Sequence, residues 1–378
     1  MPEKQSRRTF IKNAGSAGVG LAVLSKEIQA QVADTLKSAG KNIRNFKPTM
    51  KYREAGKTGI YISAFSIGTT RGEQEAIRAG VDKGVNFIHT SPRYMNGQAI
   101  TMVAQAIKGR TDAVHIALKD NFDSPEESLK ILGITCADFV FFARHDPDAL
   151  ATELPDIRKR FMEWKDKGMV RFAGITTHKG MAGCIDVALG SDFISSVMPS
   201  YGPIQIKELE PQREALRKKG IAIIAMKTKG ELEDAAYPAQ ITAALSDRNV
   251  ASVLRGVKTL EELNAWTAAA NLAKTGLLDP IKKGFPADRY AGCAMCGTCE
   301  GACPNQVAVA DIVRCVRYYH TAENDPALAS ERFAEMGLSK SLAQCSNCGQ
   351  CDQACPQRID VSGQIEKARK LWMHRVSA

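Results

Sequence analysis

The residues of this chain that most clearly indicate chemistry are eight cysteines, arranged in two runs with the same spacing. The first run reads CAMCGTCEGACP, from Cys293 to Pro304, and the second reads CSNCGQCDQACP, from Cys345 to Pro356. Both follow the pattern C-x2-C-x2-C-x3-C-P, in which three closely spaced thiolates cover one face of an iron–sulfur cube and a fourth is directed away from it. Each run is therefore predicted to supply ligands to a 4Fe–4S cluster.

Zinc binding and disulfide formation are the alternative uses of these cysteines, and both fit less well. A zinc site is typically built from two Cys pairs or a Cys/His mixture, and it has no need for this longer pattern repeated intact. Disulfide frameworks are typical of short secreted domains. The other three cysteines, Cys136, Cys184 and Cys315, stand singly in apolar segments, where we expect buried structural thiols.

The two runs resemble those of two-cluster ferredoxins, and the resemblance implies how the ligands are shared. In those proteins the fourth Cys of each run binds the cluster held mainly by the other run. The expected ligands of one cluster are Cys293, Cys296, Cys299 and Cys355, and those of the other are Cys345, Cys348, Cys351 and Cys303.

The segments around the second run have helical periodicity. Ile312, Val316 and Tyr319 mark one helical face between the runs, and residues 361–372 repeat apolar positions at similar spacing. This pattern favours the helical type of two-cluster ferredoxin over the compact β-hairpin type. We expect residues 291–378 to form a small, mostly helical domain with two clusters.

Composition sets only broad limits on function. A chain of 378 residues with 44% hydrophobic and 24% charged residues can hold one large and one small globular domain. The net charge is +10, but Lys and Arg are scattered among Asp and Glu without interleaved aromatic residues. We therefore expect no nucleic-acid partner, while an acidic redox protein remains a candidate partner.

The first residues of the chain resemble a twin-arginine export signal. The segment SRRTFIK, residues 6–12, contains Arg7 and Arg8, and it precedes the Gly/Ala-rich apolar run at residues 14–24. That run is too short to cross a bilayer, so no stable membrane span is expected. The resemblance implies a signal peptide over residues 1–30 and a periplasmic protein exported after folding; a basic segment without an export role is the alternative.

Short apolar runs alternate with helix-period segments between residues 51 and 278. Eight runs read as strands: YISAFSIG, NFIHTS, VHIALK, DFVFFARH, FAGITT, SSVMPSY, IAIIAMK and ASVLRGV. Eight strand–helix units favour an α/β fold of the (β/α)8 TIM-barrel type over an open doubly wound sheet. No G-x-G-x-x-G follows the first strand, which argues against a Rossmann domain. Residues 31–50 are expected to be a spacer and residues 279–290 a linker to the helical domain.

A barrel places its active site at the C-terminal ends of its strands, and polar side chains accumulate there in this sequence. Several titratable groups on one face suggest a catalytic site, although any single one could be an ordinary rim residue. The polar residues at these ends are His89, Tyr94, Lys119, His145, Thr177, His178, Tyr201, Lys227 and Arg255.

The sequence around these residues resembles the aldo/keto reductase family over residues 51 to about 275. YREAGKTGIYIS is similar to that family's first hairpin and strand, and GVNFIHTSPRY is similar to its signature. The resemblance implies that Tyr94 is a general acid toward a carbonyl, that Lys119 lowers its pKa, and that His145 orients the substrate oxygen. An ammonium near a phenol does favour phenolate, so we expect a lowered pKa for Tyr94.

The fourth catalytic position departs from the family pattern, because His89 stands where the family has Asp. An imidazole ring cannot neutralise Lys119. Either the Lys–Tyr pair is tuned differently, with His89 itself exchanging a proton, or the usual hydride chemistry has been lost.

The expected nucleotide contacts also depart from the pattern. GITTHKG carries Thr177 and His178 where the family has Ser-Asn, while Tyr201 is suited to stack on a planar ring. Arg255 and Lys258 are the candidates for phosphate binding, but Glu261 and Glu262 follow them and are unfavourable for the extra phosphate of NADP. Whether nicotinamide or flavin binds is left open.

Two functions are consistent with these features. The first is an exported iron–sulfur oxidoreductase that acts on a small carbonyl or alcohol, with a sugar-like molecule among the options, and relays electrons through its clusters to or from a protein partner. The second is an electron-transfer subunit or docking scaffold whose barrel is catalytically degenerate.

The paired cysteine runs predict the metal content of the protein. Anaerobically purified and fully reconstituted protein should contain about eight iron and eight sulfide per chain, measured by chemical analysis. Four or fewer iron atoms per chain would contradict the two-cluster prediction.

Overall fold

The computed structural model describes residues 43–230, 236–273 and 292–373. The predicted signal peptide and the predicted linker lie outside these residues, as does most of the predicted spacer. None of the helices described is both long and apolar enough to span a bilayer.

A β-hairpin precedes the barrel and closes its N-terminal end. Strands β1 (Tyr52–Glu54) and β2 (Tyr61–Ser63) are antiparallel. Ile60 and Ile62 are buried in the same apolar cluster as side chains from inside the barrel. The segment YISAFSIG was expected to be one strand, but it divides at Ala64 between the hairpin and the barrel.

The barrel predicted from the sequence is confirmed. Eight strands form a closed sheet in which each strand is parallel to its neighbours, and the last strand pairs with the first. The strands are β3 (Phe65–Gly68), β4 (Phe87–Thr90), β5 (His115–Lys119), β6 (Ala137–Ala143), β7 (Val170–Thr177), β8 (Ile194–Pro199), β9 (Ala222–Met226) and β10 (Val250–Arg255).

The strand register brings the predicted catalytic side chains to the same end of the barrel. His89 on β4 is paired with Gly68 on one side and Ala117 on the other, and Lys119 ends β5 opposite Phe141. Below this level the barrel interior is filled by apolar side chains such as Phe139. The polar groups therefore lie on a packed apolar floor at the C-terminal ends of the strands.

Helices surround the barrel, and their ends follow the expected capping signals. Gly220 ends a helix with φ of 72°, a left-handed conformation that glycine adopts without strain. Asp146 begins another helix by accepting a hydrogen bond from Ala149 N at 2.8 Å, which fixes the chain directly after His145. The barrel helices are α1 (Gln74–Asp82), α2 (Gln98–Ala106), α3 (Glu126–Leu132), α4 (Pro147–Asp166), α5 (Met181–Gly190), α6 (Pro203–Glu208), α7 (Glu210–Lys219), α8 (Tyr237–Ser246) and α9 (Leu260–Leu272).

Residues 292–373 form a helical unit, here called the cluster domain, as the sequence predicted. Its core is a separate apolar cluster that includes Ile312, Val316 and Ile365. Its helices are α10 (Thr298–Gly301), α11 (Val309–His320), α12 (Pro326–Glu335), α13 (Leu338–Ala343), α14 (Gln350–Gln353) and α15 (Val361–Trp372).

The cluster domain lies against the C-terminal end of the barrel. Lys179, which follows β7, forms ion pairs with Glu300 at 2.8 Å and with Asp311 on α11 at 2.9 Å. Gln205 on α6 donates a hydrogen bond to the carbonyl of Ala294 at 3.0 Å. Helix α11 is consequently held over the strand ends where a barrel active site forms.

Candidate active site

A cavity of about 120 Å³ lies between the C-terminal ends of the strands and the cluster domain. Both parts of the protein contribute to its walls. The barrel supplies Thr69, Arg71, His89, Tyr94, Lys119, His145, Thr176, His178, Lys227 and Arg255, among others, and the cluster domain supplies Arg314, Tyr318, Glu323, Leu328 and Arg332.

Tyr94, Lys119 and His89 come together in one corner of this cavity. The turn after β4 positions the tyrosine, because Tyr94 N donates to the carbonyl of Ser91 at 3.2 Å. The His89 and Tyr94 ring centroids are 5.9 Å apart, and Lys119 Nζ lies 5.7 Å from the Tyr94 ring centroid. The Arg332 guanidinium, from α12, lies 5.3 Å from the same ring.

The protonation states in this corner differ from the expectation. Burial raises the pKa of the Tyr94 phenol, and the weaker effect of Arg332 does not reverse the change. The prediction that Lys119 lowers the pKa of Tyr94 was wrong, because the effect of burial is larger and Lys119 Nζ lies over the ring, 5.7 Å from its centroid. Burial, followed by repulsion from Arg332, lowers the pKa of Lys119 to about 8. Near neutral pH Lys119, and not Tyr94, is the group whose pKa suits proton exchange.

His89 is a neutral imidazole in this environment. Burial, followed by the charge of Lys119, lowers the pKa of His89 to about 3, and its side chain is 4% exposed. The Nε2 atom is buried without a hydrogen-bond partner among the described residues. His89 does not compensate the Lys119 charge, in agreement with the sequence analysis.

His145 and His178 form a stacked pair on the other side of the cavity, with ring centroids 3.7 Å apart. Arg314 of α11 reaches this pair, and its Nη1 lies 2.9 Å from His178 Nδ1. Burial, followed by the Arg314 charge, lowers the pKa of both rings well below the usual histidine value. His178 was expected on the nucleotide side of the site, and a side chain of the cluster domain lies against it.

Three residues expected to contact a nucleotide, Thr177, Tyr201 and Lys258, do not line the cavity. Thr177 Oγ1 donates to the carbonyl of Lys179 at 2.9 Å. The Tyr201 hydroxyl donates to Asp247 at 2.6 Å, and the whole side chain is buried. Asp247 is also paired with Arg213 at 2.6 Å, so Tyr201 belongs to a buried polar network and is not free to stack on a ring in the cavity.

The residues expected to bind a cofactor phosphate are paired with carboxylates of the cluster domain. Arg255 lies 3.4 Å from Glu323, which is also 3.5 Å from Arg71. Lys258 lies 3.0 Å from Asp325. Two acidic side chains that follow α11 therefore pair with the cations at the end of β10, where a cofactor phosphate was expected to bind.

The thiols expected on the first cluster are brought together by the fold. Cys293, Cys296, Cys299 and Cys355 line one small cavity of the cluster domain. Burial, followed by the neighbouring Cys293, raises the pKa of the Cys299 thiol to about 12, and coordination to iron would favour its thiolate form. The donor set fits a 4Fe–4S cluster with the shared ligation that the resemblance implied.

The cysteines expected to bind the second cluster lie at the edge of the cluster-domain core. Cys303, Cys345 and Cys351 pack against the same apolar core, while Cys348 is exposed. Asn305 donates to the carbonyl of Gln344 at 2.8 Å, which ties the end of the first run to the start of the second.

The single cysteines follow the expectation in two cases out of three. Cys184 and Cys315 are fully buried. Cys136 is only partly buried, because it stands at the edge of the barrel just before β6.

The sequence did not indicate Arg71, Arg314, Tyr318, Glu323 or Arg332 as part of this site. Four of them belong to the cluster domain, and no barrel motif includes them. The only local signal is the i, i+4 spacing of Arg314 and Tyr318, which puts both on one face of α11.

Comparisons with known proteins agree with both parts of the chain. A model of the Aldo/keto reductase family matches residues 69–274, and a model of the 4Fe-4S dicluster domain matches residues 292–360.

Curated relatives resemble each part separately. Aldo-keto reductase YhdN of Bacillus subtilis (strain 168) is 28% identical over 158 residues, covering 34% of this chain and 47% of that protein. The fumarate reductase iron-sulfur subunit of Escherichia coli O157:H7 is 22% identical over 85 residues, covering 21% of this chain and 35% of that protein. The chain thus spans less than half the length of the curated relatives it matches.

A solved structure with similarity to the chain is aldo-keto reductase AKR11C1 from Bacillus halodurans in its holo form. It has a TM-score of 0.49 and 18% sequence identity, covering 61% of this chain and 99% of that chain.

The neutral His89 predicts a loss of stability in acid. Its pKa is about 3 in the folded protein and about 6.5 when unfolded, so the unfolded chain binds more protons below pH 6.5. Between pH 7 and pH 5 this residue should lower the free energy of unfolding by about 2 kcal/mol. Anaerobic urea unfolding of wild type and His89→Asn should show a smaller acid loss in the variant. The exposed His320→Asn variant is the control and should behave as wild type. Equal acid losses in all three proteins would contradict the assignment.

Proposed function

Because this chain belongs to the aldo/keto reductase family and carries two 4Fe–4S clusters, we propose that it is an exported oxidoreductase whose substrate is a small alcohol or carbonyl compound. The substrate occupies the cavity at the barrel mouth. Electrons pass through the clusters to or from a one-electron redox protein outside the chain.

One observation carries this proposal: helix α11 connects the cavity with the first cluster site. Arg314 lines the cavity, and Arg317, one helical turn further on, donates from Nη1 to the carbonyl of Cys293 at 3.2 Å. Met295, between two cluster ligands, is 4% exposed and packs in the main barrel core. The substrate site and the first cluster therefore share one wall, which shortens the path that electrons must take.

The numbers of electrons and protons are consistent with this arrangement. Interconversion of an alcohol and a carbonyl moves two electrons and two protons. Each bound 4Fe–4S cluster exchanges one electron at a time, so the two together match the substrate's two electrons, which the external protein gives or takes singly.

One of the two protons is exchanged at the substrate oxygen by a side chain of the barrel, and the other, at the substrate carbon, is exchanged with water. Lys119, with its pKa lowered to about 8, gives a proton to the substrate oxygen during reduction and accepts one during oxidation. Tyr94 remains a neutral phenol that can donate a hydrogen bond to that oxygen. His145, neutral and stacked on His178, is available to orient it.

The same geometry argues against a dissociable nicotinamide cofactor. The cavity volume of about 120 Å³ lies well below the roughly 300–1,000 Å³ of pockets that bury drug-sized ligands, and a dinucleotide is larger still. Arg255 and Lys258 already have carboxylate partners in Glu323 and Asp325. The volume also favours a short substrate over a sugar ring.

The greater exposure of the second cysteine run supports the proposal of an external partner. Each run has one exposed cysteine, Cys296 or Cys348, but Cys299 of the first run is buried whereas its counterpart Cys351 is only partly buried. A partner that approaches the second run would exchange electrons with the cluster farther from the substrate.

Export through the twin-arginine signal is proposed from Arg7 and Arg8 in the sequence.

A docking or electron-transfer role without catalysis is the second candidate. It is favoured by the contacts of Lys227 with the Tyr318 hydroxyl and of Arg314 with His178, which close the mouth of the barrel from both domains. In that case the barrel would serve to present the clusters, and substitutions in the cavity would leave electron transfer unchanged.

Substitution of Lys119 distinguishes the oxidoreductase from the docking scaffold. With reduced methyl viologen as electron donor, wild-type protein should reduce a short carbonyl compound, and Lys119→Met should lose about 100-fold or more of this activity. Because the protonated amine donates, the wild-type rate should fall as pH rises through about 8, and the variant should lack this inflection. The exposed Lys130→Met is the matched control. Equal rates in the two variants would favour the scaffold.

The second prediction concerns the nucleotide. Anaerobic titration with NADPH or NADH should produce neither a fluorescence change typical of binding nor bleaching of the clusters. Tight NADPH binding, with carbonyl reduction that survives removal of both clusters, would contradict this prediction and indicate an ordinary NADPH-dependent reductase.

The third prediction concerns export. Replacing Arg7 and Arg8 by Lys keeps the charge but removes the paired arginines, so the full-length protein should remain in the cytoplasm with its clusters intact. Cell fractionation and immunoblotting measure this. Unchanged periplasmic delivery would reject the twin-arginine route.

A further inference from the structure

We infer that the cavity selects a short organic acid, whose carboxylate lies between Lys227 and Arg314 while its hydroxyl or carbonyl oxygen faces Tyr94 and Lys119. This inference rests on the proposed function and adds the substrate class. It follows from the balance of charge in the cavity, from its size and from the position of its two lysines.

Most cations around the cavity have a carboxylate partner. Arg71 and Arg255 share Glu323, and Arg71 also lies 3.3 Å from Glu262. On the opposite side Lys179 is paired with Glu300 and Asp311. Each of these charges is compensated inside the protein.

Arg314 and Arg332 also have carboxylate partners. Arg314 Nη2 lies 2.7 Å from Asp311 Oδ1, while the other carboxylate oxygen of Asp311 accepts from Lys179, and the Arg314 Nε atom is buried without a hydrogen-bond partner among the described residues. Arg332 is in contact with Glu335. Arg314 thus keeps one N–H donor without a partner among the described residues, and its side chain lines the cavity.

Lys119 and Lys227 are different, because among the described residues no carboxylate oxygen lies within 4.0 Å of either ammonium nitrogen. Lys119 lies beside the Tyr94 ring, and Lys227 contacts the Tyr318 hydroxyl, with its Nζ 4.6 Å from that ring centroid. Both line the cavity. Burial, followed by repulsion from Arg314, lowers the pKa of Lys227 well below the usual lysine value, so holding its charge in the cavity is costly, and an anion in the space between the two lysines would offset that cost.

The two lysines differ in the role that their positions allow. Lys119 ends β5 beside Tyr94, in the corner assigned to proton transfer. Lys227 follows β9 on the side where α11 supplies Arg314 and Tyr318. A ligand with an oxygen at each end can therefore place a reacting group near Lys119 and a carboxylate near Lys227.

The volume sets the length of that ligand. A cavity of about 150 Å³ holds benzene, which has six non-hydrogen atoms, and this cavity has about 120 Å³. A three-carbon hydroxy or oxo acid also has six non-hydrogen atoms. The chemistry that fits is therefore a short hydroxy or oxo monocarboxylate, such as lactate or pyruvate.

Binding to the intact holoprotein tests the inference without turnover. Lactate and pyruvate are compared with their uncharged, nearly isosteric amides by anaerobic calorimetry, with cluster absorbance as the check on folding. The acids should bind at least tenfold more tightly than the amides. Lys227→Met should abolish that preference, Lys227→Arg should keep most of it, and the exposed Lys130→Met should not change it.

The outcomes separate this inference from the proposed function. Amides that bind as tightly as the acids, acids that do not bind, or a preference unchanged in Lys227→Met would each overturn the choice of a carboxylate. Viologen-linked turnover of uncharged alcohols or ketones, with no binding of the acids, would leave the oxidoreductase proposal standing and reject the inference. Acid binding that depends on Lys227, without turnover of any probe, would support the inference and reject the proposed reaction.

Discussion

The largely buried carboxylate of Asp311 joins the two parts of this protein. Asp311 lies 2.9 Å from Lys179 of the barrel and 2.7 Å from Arg314 on its own helix. Charges taken out of water are costly unless each is matched, so this arrangement is favourable only in the register that brings all three groups together. A shift of α11 by one residue would turn Arg314 about 100° away from the barrel mouth.

The functional architecture depends on that register. Arg314 and Tyr318 stand one helical turn apart and both line the cavity, while Arg317 is directed to the backbone of the first cysteine run. The chain that leaves the helix then brings Glu323 to Arg71 and Arg255. The cluster domain thereby supplies a wall of the candidate active site and the counter-ions of cations that would otherwise be available to a phosphate.

Much of the architecture was predictable because it depends on local patterns. The eight apolar runs coincide with the eight barrel strands, since a strand buried on both faces needs a continuous apolar segment. The helical character of the cluster domain followed from periodic apolar positions such as Ile312 and Val316. The division of the first run at Ala64 was missed, because both parts are apolar and nothing in the run itself marks the corner.

The candidate site was predictable only in part. The sequence alone determined which residues stand at the strand ends, including Tyr94, Lys119 and His145, and it determined the cysteine spacing that identifies the clusters. Only the tertiary structure decided that Tyr201 turns to Asp247 and that burial raises the pKa of Tyr94 while lowering that of Lys119. Spacing along a chain specifies which groups share a strand end or a helical face, whereas desolvation and charge pairing depend on segments that meet from far apart. Arg314 lies well over a hundred residues from His178 in sequence, and only folding brings the two together.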